Sequence, residues 1–212
     1  MDGEVAIPAG DVTLQASFTH PDDARGVVAF AHGSGSGRHS PRNRYVADVL
    51  NAGGFATVLA DLLTGDEERV DMRTRHLRFD IELLARRVDG VVDWLRATPE
   101  TSELLVGLFG ASTGAAAALV SAADRPEAVR AIVSRGGRPD LAGDALPAVK
   151  APTLLIVGGN DEVVLRLNQE TLEILRCEKR LDVVPGATHL FEESGTLERV
   201  AELATDWFAA RL

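Results

Sequence analysis

Short apolar segments alternate with longer amphipathic segments along the chain, and this alternation restricts the fold more than any other feature. Most of the apolar segments are nearly continuous, which is typical of strands that are covered on both faces of a sheet. The segments that predict strands are Val12–Phe18, Gly26–Ala31, Phe55–Ala60, Leu104–Phe109, Ala131–Ser134, Thr153–Val157 and Leu181–Val184.

The amphipathic segments between these strands predict helices, and Arg78–Ala97 carries an apolar stripe near the helical period of about 3.6 residues. Regular alternation of strand and helix favours an α/β fold, with one mostly parallel, twisted sheet of seven to eight strands and helices on both faces. Ligands of such sheets bind beyond the carboxyl ends of the strands. The predicted helices are Arg42–Ala52, Arg78–Ala97, Ser112–Ala123, Val164–Leu175 and Thr196–Leu212.

Length and composition predict a single domain over residues 1–212. The chain has 212 residues, of which 45% are hydrophobic and 25% are charged. These values are close to those of an average globular protein and exclude a disordered, collagen-like or coiled-coil chain. We find no internal repeat and no linker rich in Pro or Ser that would divide the chain.

The charge balance makes a nucleic-acid partner a poor expectation. Acidic residues outnumber Lys and Arg by 32 to 22, and the resulting formal charge of −10 repels phosphate backbones. The chain has one cysteine, Cys177, and therefore cannot form an intrachain disulfide. No long apolar run follows the acidic start, and none elsewhere reaches the length of a membrane span. We expect a soluble cytoplasmic protein without a membrane partner; its oligomeric state is left open.

The predicted strand Leu104–Phe109 leads directly into Gly110-Ala111-Ser112-Thr113-Gly114 and then into an Ala-rich helix. A G-x-S-x-G sequence between a strand and a helix is typical of a sharp turn that exposes a strained serine. The glycines are needed where neighbouring backbone leaves no room for a Cβ. We therefore predict Ser112 as a nucleophile, although a tight turn that happens to contain a serine would look the same.

A serine hydroxyl needs a base, and the base needs an orienting acid, which follow the nucleophile as acid and then histidine in this architecture. Asp161 follows the predicted strand Thr153–Val157, and His189 follows Leu181–Val184. Both lie where loops leave the carboxyl ends of strands. We predict Asp161 as the acid and His189 as the base, with Glu162 as the substitute for Asp161.

Backbone N–H groups must stabilise the oxyanion that forms on the substrate. One donor is expected at Thr113, the residue after the nucleophile, and the second at Ser34 in the glycine-rich loop that follows Gly26–Ala31. A phosphate-binding loop is the alternative, but no G-x-x-x-x-G-K-[ST] sequence is present. We interpret His32 as a residue that fixes this loop rather than as a catalytic group.

Four arginines are candidate substrate-binding residues: Arg73 and Arg75 in the polar segment Asp61–Arg78, and Arg135 and Arg138 after the strand Ala131–Ser134. Guanidinium groups bind carboxylates and phosphates through paired hydrogen bonds, so these four residues would suit a substrate that carries an anionic group. The alternative is that these arginines pair with the excess of acids. The polar segment is also a candidate flap.

Four motifs together resemble the α/β-hydrolase superfamily, and within it the small, lid-poor dienelactone-hydrolase-like branch: H-G-S-G-S-G at 32–37, G-A-S-T-G at 110–114, G-G-N-D at 158–161 and G-A-T-H at 186–189. The resemblance covers nearly the whole chain. It implies the Ser112–His189–Asp161 triad with oxyanion donors at Ser34 and Thr113. Similar domains also occur fused to phosphoribosyltransferases, and this chain resembles a free-standing version.

The chain departs from that branch at one position, because dienelactone hydrolases carry cysteine as the nucleophile and this sequence has Ser112. A serine is more typical of a general carboxylesterase. We therefore expect a serine hydrolase that cleaves a small-molecule carboxylic ester, with no cofactor and no metal. The alternatives are a hydrolase of a lactone, thioester or peptide, and a catalytically silent binding or accessory module with the same fold.

Overall fold

The computed structural model describes residues 2–212, which form one eight-stranded sheet in the order β1-β2-β4-β3-β5-β6-β7-β8. β1 and β2 pair antiparallel, as do β2 and β4, and every other pairing is parallel. The strands are β1 (Gly3–Ala9), β2 (Val12–Thr19), β3 (Val27–Ala31), β4 (Ala56–Ala60), β5 (Val106–Ala111), β6 (Val129–Arg135), β7 (Thr153–Gly158) and β8 (Lys179–Val184).

Helices cover both faces of this sheet, so the predicted α/β architecture is confirmed. The helices are α1 (Pro41–Ala52), α2 (Gly65–Thr74), α3 (Ile81–Ala97), α4 (Thr113–Asp124), α5 (Glu162–Ile174) and α6 (Thr196–Ala209), with 3-10 turns at Leu77–Phe79 and Pro139–Ala148. Within residues 2–212, no helix combines the length and the apolar character needed to cross a membrane.

The core has two layers because the central strands bury both of their faces. One apolar layer lies between the sheet and helices α3 and α4, and the other lies between the sheet and helices α1 and α6. Side chains alternate between these layers along each strand. On β5, for example, Leu108 faces the first layer and Phe109 faces the second.

The first strand, β1, is absent from the sequence prediction. It lies at the sheet edge, and its burial alternates rather than forming the continuous apolar run that identifies the central strands. Its last residue packs so closely on α3 that a Cβ added to Gly90 would lie 2.5 Å from the Cβ of Ala9. The strand therefore depends on long-range packing that a local pattern does not reveal.

The predicted helix Arg78–Ala97 begins later than expected, at Ile81, because the carboxylate of Asp80 accepts a hydrogen bond from the Leu83 N–H and caps the helix there. Arg78 lies in the preceding 3-10 turn. The final helix ends at Ala209 rather than at Leu212.

The polar segment Asp61–Arg78 contains a helix, α2, that was not predicted from the sequence. Only Asp71 of this helix is buried, so it lacks the apolar stripe on which the other helices were recognised. Its start is fixed instead by a capping box, in which Thr64 and Glu67 each accept the other's backbone N–H.

Candidate active site

Ser112 lies between β5 and α4 with φ 50° and ψ −123°. This is a region of backbone space that residues other than glycine rarely adopt. The Ser112 N–H donates to the Arg135 carbonyl at 3.4 Å, and the Ser112 carbonyl accepts from the N–H of Arg138 at 2.9 Å. These contacts hold the strained turn at the carboxyl end of the sheet.

Close backbone approach explains both glycines of the G-x-S-x-G motif. A Cβ at Gly110 would lie 2.4 Å from the Cα of Ala115, and a Cβ at Gly114 would lie 2.0 Å from the Ala31 carbonyl oxygen. Neither position can accommodate a side chain without moving backbone. The turn therefore packs tightly against both its own helix and the end of β3, as the sequence analysis predicted.

Asp161 and His189 come together from the loops that follow β7 and β8. The Nδ1–H of His189 donates to Oδ2 of Asp161 at 2.7 Å. The Asp161 side chain is 14% exposed, whereas that of His189 is 40% exposed. With the proton on Nδ1, Nε2 is left as the nitrogen that can accept a proton. Glu162 begins α5, and it is Asp161 that contacts the imidazole.

Backbone hydrogen bonds fix the two loops against each other. The N–H of Asn160 donates to the Ala187 carbonyl at 2.9 Å, and its side-chain amide donates to the Gly186 carbonyl at 2.9 Å. A Cβ at Gly158 would lie 2.4 Å from the Ala187 carbonyl oxygen, so only glycine permits this approach. The carboxylate and the imidazole are thus positioned by the shared geometry of two neighbouring strand ends.

Ser112 and His189 both contact the short segment 136–138. The Ser112 carbonyl accepts the N–H of Arg138, and His189 lies beside Gly136. A Cβ placed on Gly136 would lie 3.1 Å from the His189 carbonyl oxygen and 3.6 Å from its Nδ1. Within residues 2–212, the structure contains no hydrogen bond between the Ser112 hydroxyl and the imidazole. Such contacts are often long in a substrate-free enzyme and tighten when substrate binds.

Ser34 and Thr113 also come together, although they are far apart in the sequence. Their hydroxyl oxygens lie 3.0 Å apart. Thr113 is the first residue of α4, so its N–H has no partner inside the helix. The Ser34 hydroxyl also donates to the Arg78 carbonyl at 3.3 Å, which links this loop to the segment that contains α2.

His32 fixes the same loop. Its Nδ1 donates to the Gly33 carbonyl at 3.1 Å, and its Nε2 accepts the N–H of Leu62 at 3.0 Å. Burial lowers the pKa of His32 below its ordinary value of 6.5, although the nearby carboxylate of Asp61 opposes this shift. Both ring nitrogens are engaged by backbone, as expected for a residue that holds the loop in place.

A cavity of about 220 Å³ lies beside Ser34 and Thr113, between the β3–α1 loop and the segment that contains α2. Three carboxylates face it, from Asp61, Glu68 and Asp71. Two of them are paired, Asp61 with Arg38 and Asp71 with Arg78. The sequence analysis did not identify these lining residues. Because α2 has no buried apolar stripe, its place at the site follows only from the tertiary structure, which sets it beside the β3–α1 loop.

None of the four candidate arginines lines this cavity. Arg73 and Arg75 are exposed, and neither lines the cavity. Arg138 forms a two-pronged ion pair with Asp140, at 2.9 Å from Nε and 2.7 Å from Nη2. Arg135 differs from all of these, because it is buried and has no ion-pair partner among the described residues.

Groups of three or more His, Cys, Asp or Glu side chains that could hold a metal ion do not occur among residues 2–212. Cys177 is partly buried against the first apolar layer, and burial raises the pKa of its thiol. A thiol with a raised pKa forms little thiolate at neutral pH and is a poor nucleophile. Cys177 is therefore a poor candidate for the nucleophile, and the candidates remain Ser112, Asp161 and His189 at the strand ends.

Comparison with curated proteins finds a relative named "Putative phosphoribosyl transferase" in Mycobacterium tuberculosis H37Rv. It is 61% identical over 211 residues, which is 100% of this chain but 47% of the relative. A protein of the same name in strain CDC 1551 matches to the same extent. The chain thus spans about half the length of these curated relatives.

Solved structures match over the whole fold. The crystal structure of a dienelactone hydrolase from Anabaena variabilis is 59% identical, covers 100% of this chain and 98% of its own, and superposes with a TM-score of 0.98. Est1E from Butyrivibrio proteoclasticus is 17% identical with a TM-score of 0.82 over 98% of both chains, a likeness in fold alone. Residues 14–210 match the family described as the Dienelactone hydrolase family, and this chain belongs to that family.

Proposed function

We propose that the chain is a serine hydrolase that cleaves small-molecule carboxylic esters with Ser112 as nucleophile, His189 as base and Asp161 as orienting acid. Membership of the family indicates a hydrolase. The observation that most supports the finer assignment is the 2.7 Å hydrogen bond from His189 to Asp161, in a loop that also approaches the strained turn of Ser112.

In the proposed reaction, Oγ of Ser112 attacks the ester carbonyl carbon while Nε2 of His189 takes the hydroxyl proton. The backbone N–H groups of Ser34 and Thr113 stabilise the negative charge that develops on the carbonyl oxygen. The imidazolium then gives its proton to the departing alcohol, which leaves an acyl group on Ser112. Water attacks this acyl-enzyme, again losing its proton to His189, and the carboxylic acid is released as Ser112 regains its hydrogen.

The cavity beside the two oxyanion donors supports a small substrate. Its volume of about 220 Å³ is below the range of about 300–1,000 Å³ that encloses drug-sized ligands. Leu63, Met72 and Leu84 contribute apolar side chains to its wall. We propose that it receives a short acyl or alcohol group of the ester.

A fluorophosphonate probe tests the nucleophile directly, since it reacts with a serine that has an activated hydroxyl. We expect labelling of the wild-type chain and its loss in Ser112→Ala, while Ser34→Ala, which changes a neighbouring serine but keeps its backbone N–H, remains labelled. If the folded wild-type protein takes up no probe and hydrolyses no ester, the chain is better described as a binding or accessory module.

A panel of esters, lactones, thioesters and peptides at equal enzyme concentration separates ester hydrolysis from cleavage of other acyl bonds. We expect short-chain esters to give the highest kcat/KM. A higher kcat/KM on a lactone or thioester would keep the same catalytic residues but change the proposed substrate.

The accessory-module alternative has one specific support, namely that the chain spans 47% of relatives that are named as transferases.

A further inference from the structure

Arg135 has a buried guanidinium without a protein partner. The residue is 8% exposed, and its Nε and Nη1 are fully buried with no hydrogen-bond acceptor among residues 2–212. A buried charge is normally paired, because removing it from water costs several kcal/mol. Among the described residues, the buried nitrogens of Arg135 therefore lack both a hydrogen-bond acceptor and a negative charge to balance their own.

The side chain of Arg135 projects toward the layer that contains α1 and α6. It follows Ala131 and Val133 along β6 at alternate positions, and both of these residues pack in that layer. Arg135 is the last residue of β6, so its guanidinium lies near the carboxyl edge of the sheet. Its own carbonyl accepts the N–H of Ser112 at 3.4 Å, which places its backbone directly beside the candidate nucleophile.

A second arginine, Arg42, lies on the same side of the sheet end. It contacts Glu192, and the preceding residue, Phe191, lies 3.4 Å from a Cβ placed on Gly136, which follows Arg135. Burial lowers the pKa of Arg135 to about 10, and the positive charge of Arg42 contributes to that shift. The Nε of Arg42 is also buried and lacks an acceptor. Its Nη1 meets only the exposed carboxylate of Glu192, at 3.2 Å. The Glu192 carboxylate therefore pairs with Arg42 alone, and three buried guanidinium nitrogens, Nε and Nη1 of Arg135 and Nε of Arg42, have no acceptor among residues 2–212.

Helix α1 adds to the positive potential at this place. Arg42 is in its first turn, where the helix carries no acidic residue. Pro41 has no N–H and the Ser40 hydroxyl accepts that of Asn43, so the helix contributes the partial positive charge of its start rather than a set of free donors. A planar guanidinium also presents its donors in a fork that matches the oxygens of a carboxylate or phosphate.

We infer that Arg135 and Arg42 form an anion-binding site at the start of α1, which takes one carboxylate or phosphate group. The site is separate from the cavity under α2, where the carboxylates of Asp61, Glu68 and Asp71 collect. Among residues 2–212, the cavity thus leaves the carboxylate of Glu68 without an arginine partner, whereas the Arg135 side leaves guanidinium nitrogens without an acceptor. The binding of an anion here does not depend on Ser112, so it can be tested apart from catalysis.

Thermal unfolding of the whole chain in phosphate and in succinate, with NaCl as a control of equal ionic strength, tests the site. We expect a rise in Tm that begins near the Kd, grows with the logarithm of the anion concentration and reaches about 5–10 °C when the anion is at about 100 times its Kd. Arg135→Met and Arg42→Met should abolish this anion-specific rise. Arg138→Met is the matched control, since Arg138 lies in the same segment but is already paired with Asp140, and it should keep the rise.

The proposal is overturned if the wild-type chain gives no Tm shift beyond that of NaCl, or if Arg135→Met and Arg42→Met keep the full shift. Should Arg135→Met fail to fold, Arg42→Met and the wild type still decide the outcome. Arg135→Lys provides a further check: it keeps a charge but loses the fork, and we expect weaker binding than in the wild type.

The source of the anion is separated by kinetics on p-nitrophenyl acetate and the matched p-nitrophenyl hemisuccinate. If the substrate carries the anion, Arg42→Met lowers kcat/KM at least tenfold more for the hemisuccinate than for the acetate. If a free anion occupies the site, the two esters respond alike, and phosphate changes acetate turnover only in the wild type. A chain that binds phosphate but hydrolyses neither ester would contradict the proposed function and leave the anion site standing.

Discussion

At the scale of single residues, the neighbouring acids Asp161 and Glu162 have different surroundings in the fold. Asp161 is the last residue of the loop after β7 and contacts the imidazole, whereas Glu162 begins α5. The sequence alone could only rank them, because both follow the same strand end. Which carboxylate reaches His189 depends on the backbone path through Gly158 and Gly159, and that path is fixed by contacts with the neighbouring loop.

We predict that Asp161→Asn lowers kcat for p-nitrophenyl acetate by about 10³–10⁴-fold, because the amide no longer holds the imidazole with its proton on Nδ1. Glu162→Gln is the control and should change kcat less than threefold. Steady-state kinetics of both variants, with circular dichroism to establish folding, check the assignment. Equal losses in the two variants would contradict it.

His32 makes the stability of the fold sensitive to acid. Burial lowers its pKa from 6.5, so the unfolded chain takes up a proton at this residue at a higher pH than the folded chain. The stabilising contribution of neutral His32 is therefore present above pH 6.5 and is lost as the pH falls toward the folded pKa. Protonation would also remove the acceptor at Nε2 that holds the Leu62 N–H.

We expect His32→Gln to be less stable than the wild type at pH 8 but to lose less stability between pH 7 and pH 5. Urea unfolding at several pH values measures both effects. His39→Gln, in the same loop but exposed, should keep the acid sensitivity of the wild type. A parallel pH dependence in His32→Gln and the wild type would show that another group is responsible.

At the scale of elements, recognition from sequence depended on the apolar period. The central strands and the helices that cover them carry continuous or striped apolar patterns, so their presence and their order were predictable. β1 and α2 lack those patterns, since one is an edge strand and the other buries only Asp71. The capping box at Thr64 and Glu67 was a visible start signal for α2 that the analysis passed over.

Gly90, in the middle of α3, illustrates an element held by close approach. We predict that Gly90→Ala destabilises the fold by about 1–2 kcal/mol, because the clash with Ala9 outweighs the gain of about 1 kcal/mol in helix propensity. Urea unfolding measures this change. Gly65→Ala, in α2, has open space for a Cβ and should cause no loss. A stable Gly90→Ala would mean that β1 can move away from α3 freely.

At the scale of the whole molecule, one sheet separates two apolar layers, and each layer contains one tryptophan. Trp94 packs against the layer of α3 and α4, with its ring 5.5 Å from that of Phe18. Trp207 is buried in the layer of α1 and α6. The two indoles therefore report on opposite faces of the sheet.

If residues 1–212 form a single domain, as we predict, both layers unfold in one transition. Fluorescence of the single-tryptophan variants Trp94→Phe and Trp207→Phe should then follow the same urea curve as the far-ultraviolet circular dichroism of each variant. The dichroism serves as the internal control. Separate midpoints for fluorescence and dichroism within one variant would indicate that the two layers unfold independently.

The tertiary structure also determines which charged side chains form ion pairs, and these pairs were the least predictable feature from the sequence. The order of serine, acid and histidine at the ends of β5, β7 and β8 was visible because each residue follows its own strand. The pairing of Arg138 with Asp140 is local, since the two residues are two positions apart, but the absence of a partner for Arg135 depends on tertiary packing that no spacing in the sequence encodes.

The backbone angle of Ser112 has a consequence for how such a chain can change over generations. A residue other than glycine at φ 50° and ψ −123° costs of order 1–3 kcal/mol. Exchange of Ser112 for glycine would relieve that cost and make the protein more heat-resistant in a single step. In a lineage that does not need the hydroxyl, the gain in stability would favour replacement of Ser112 by glycine.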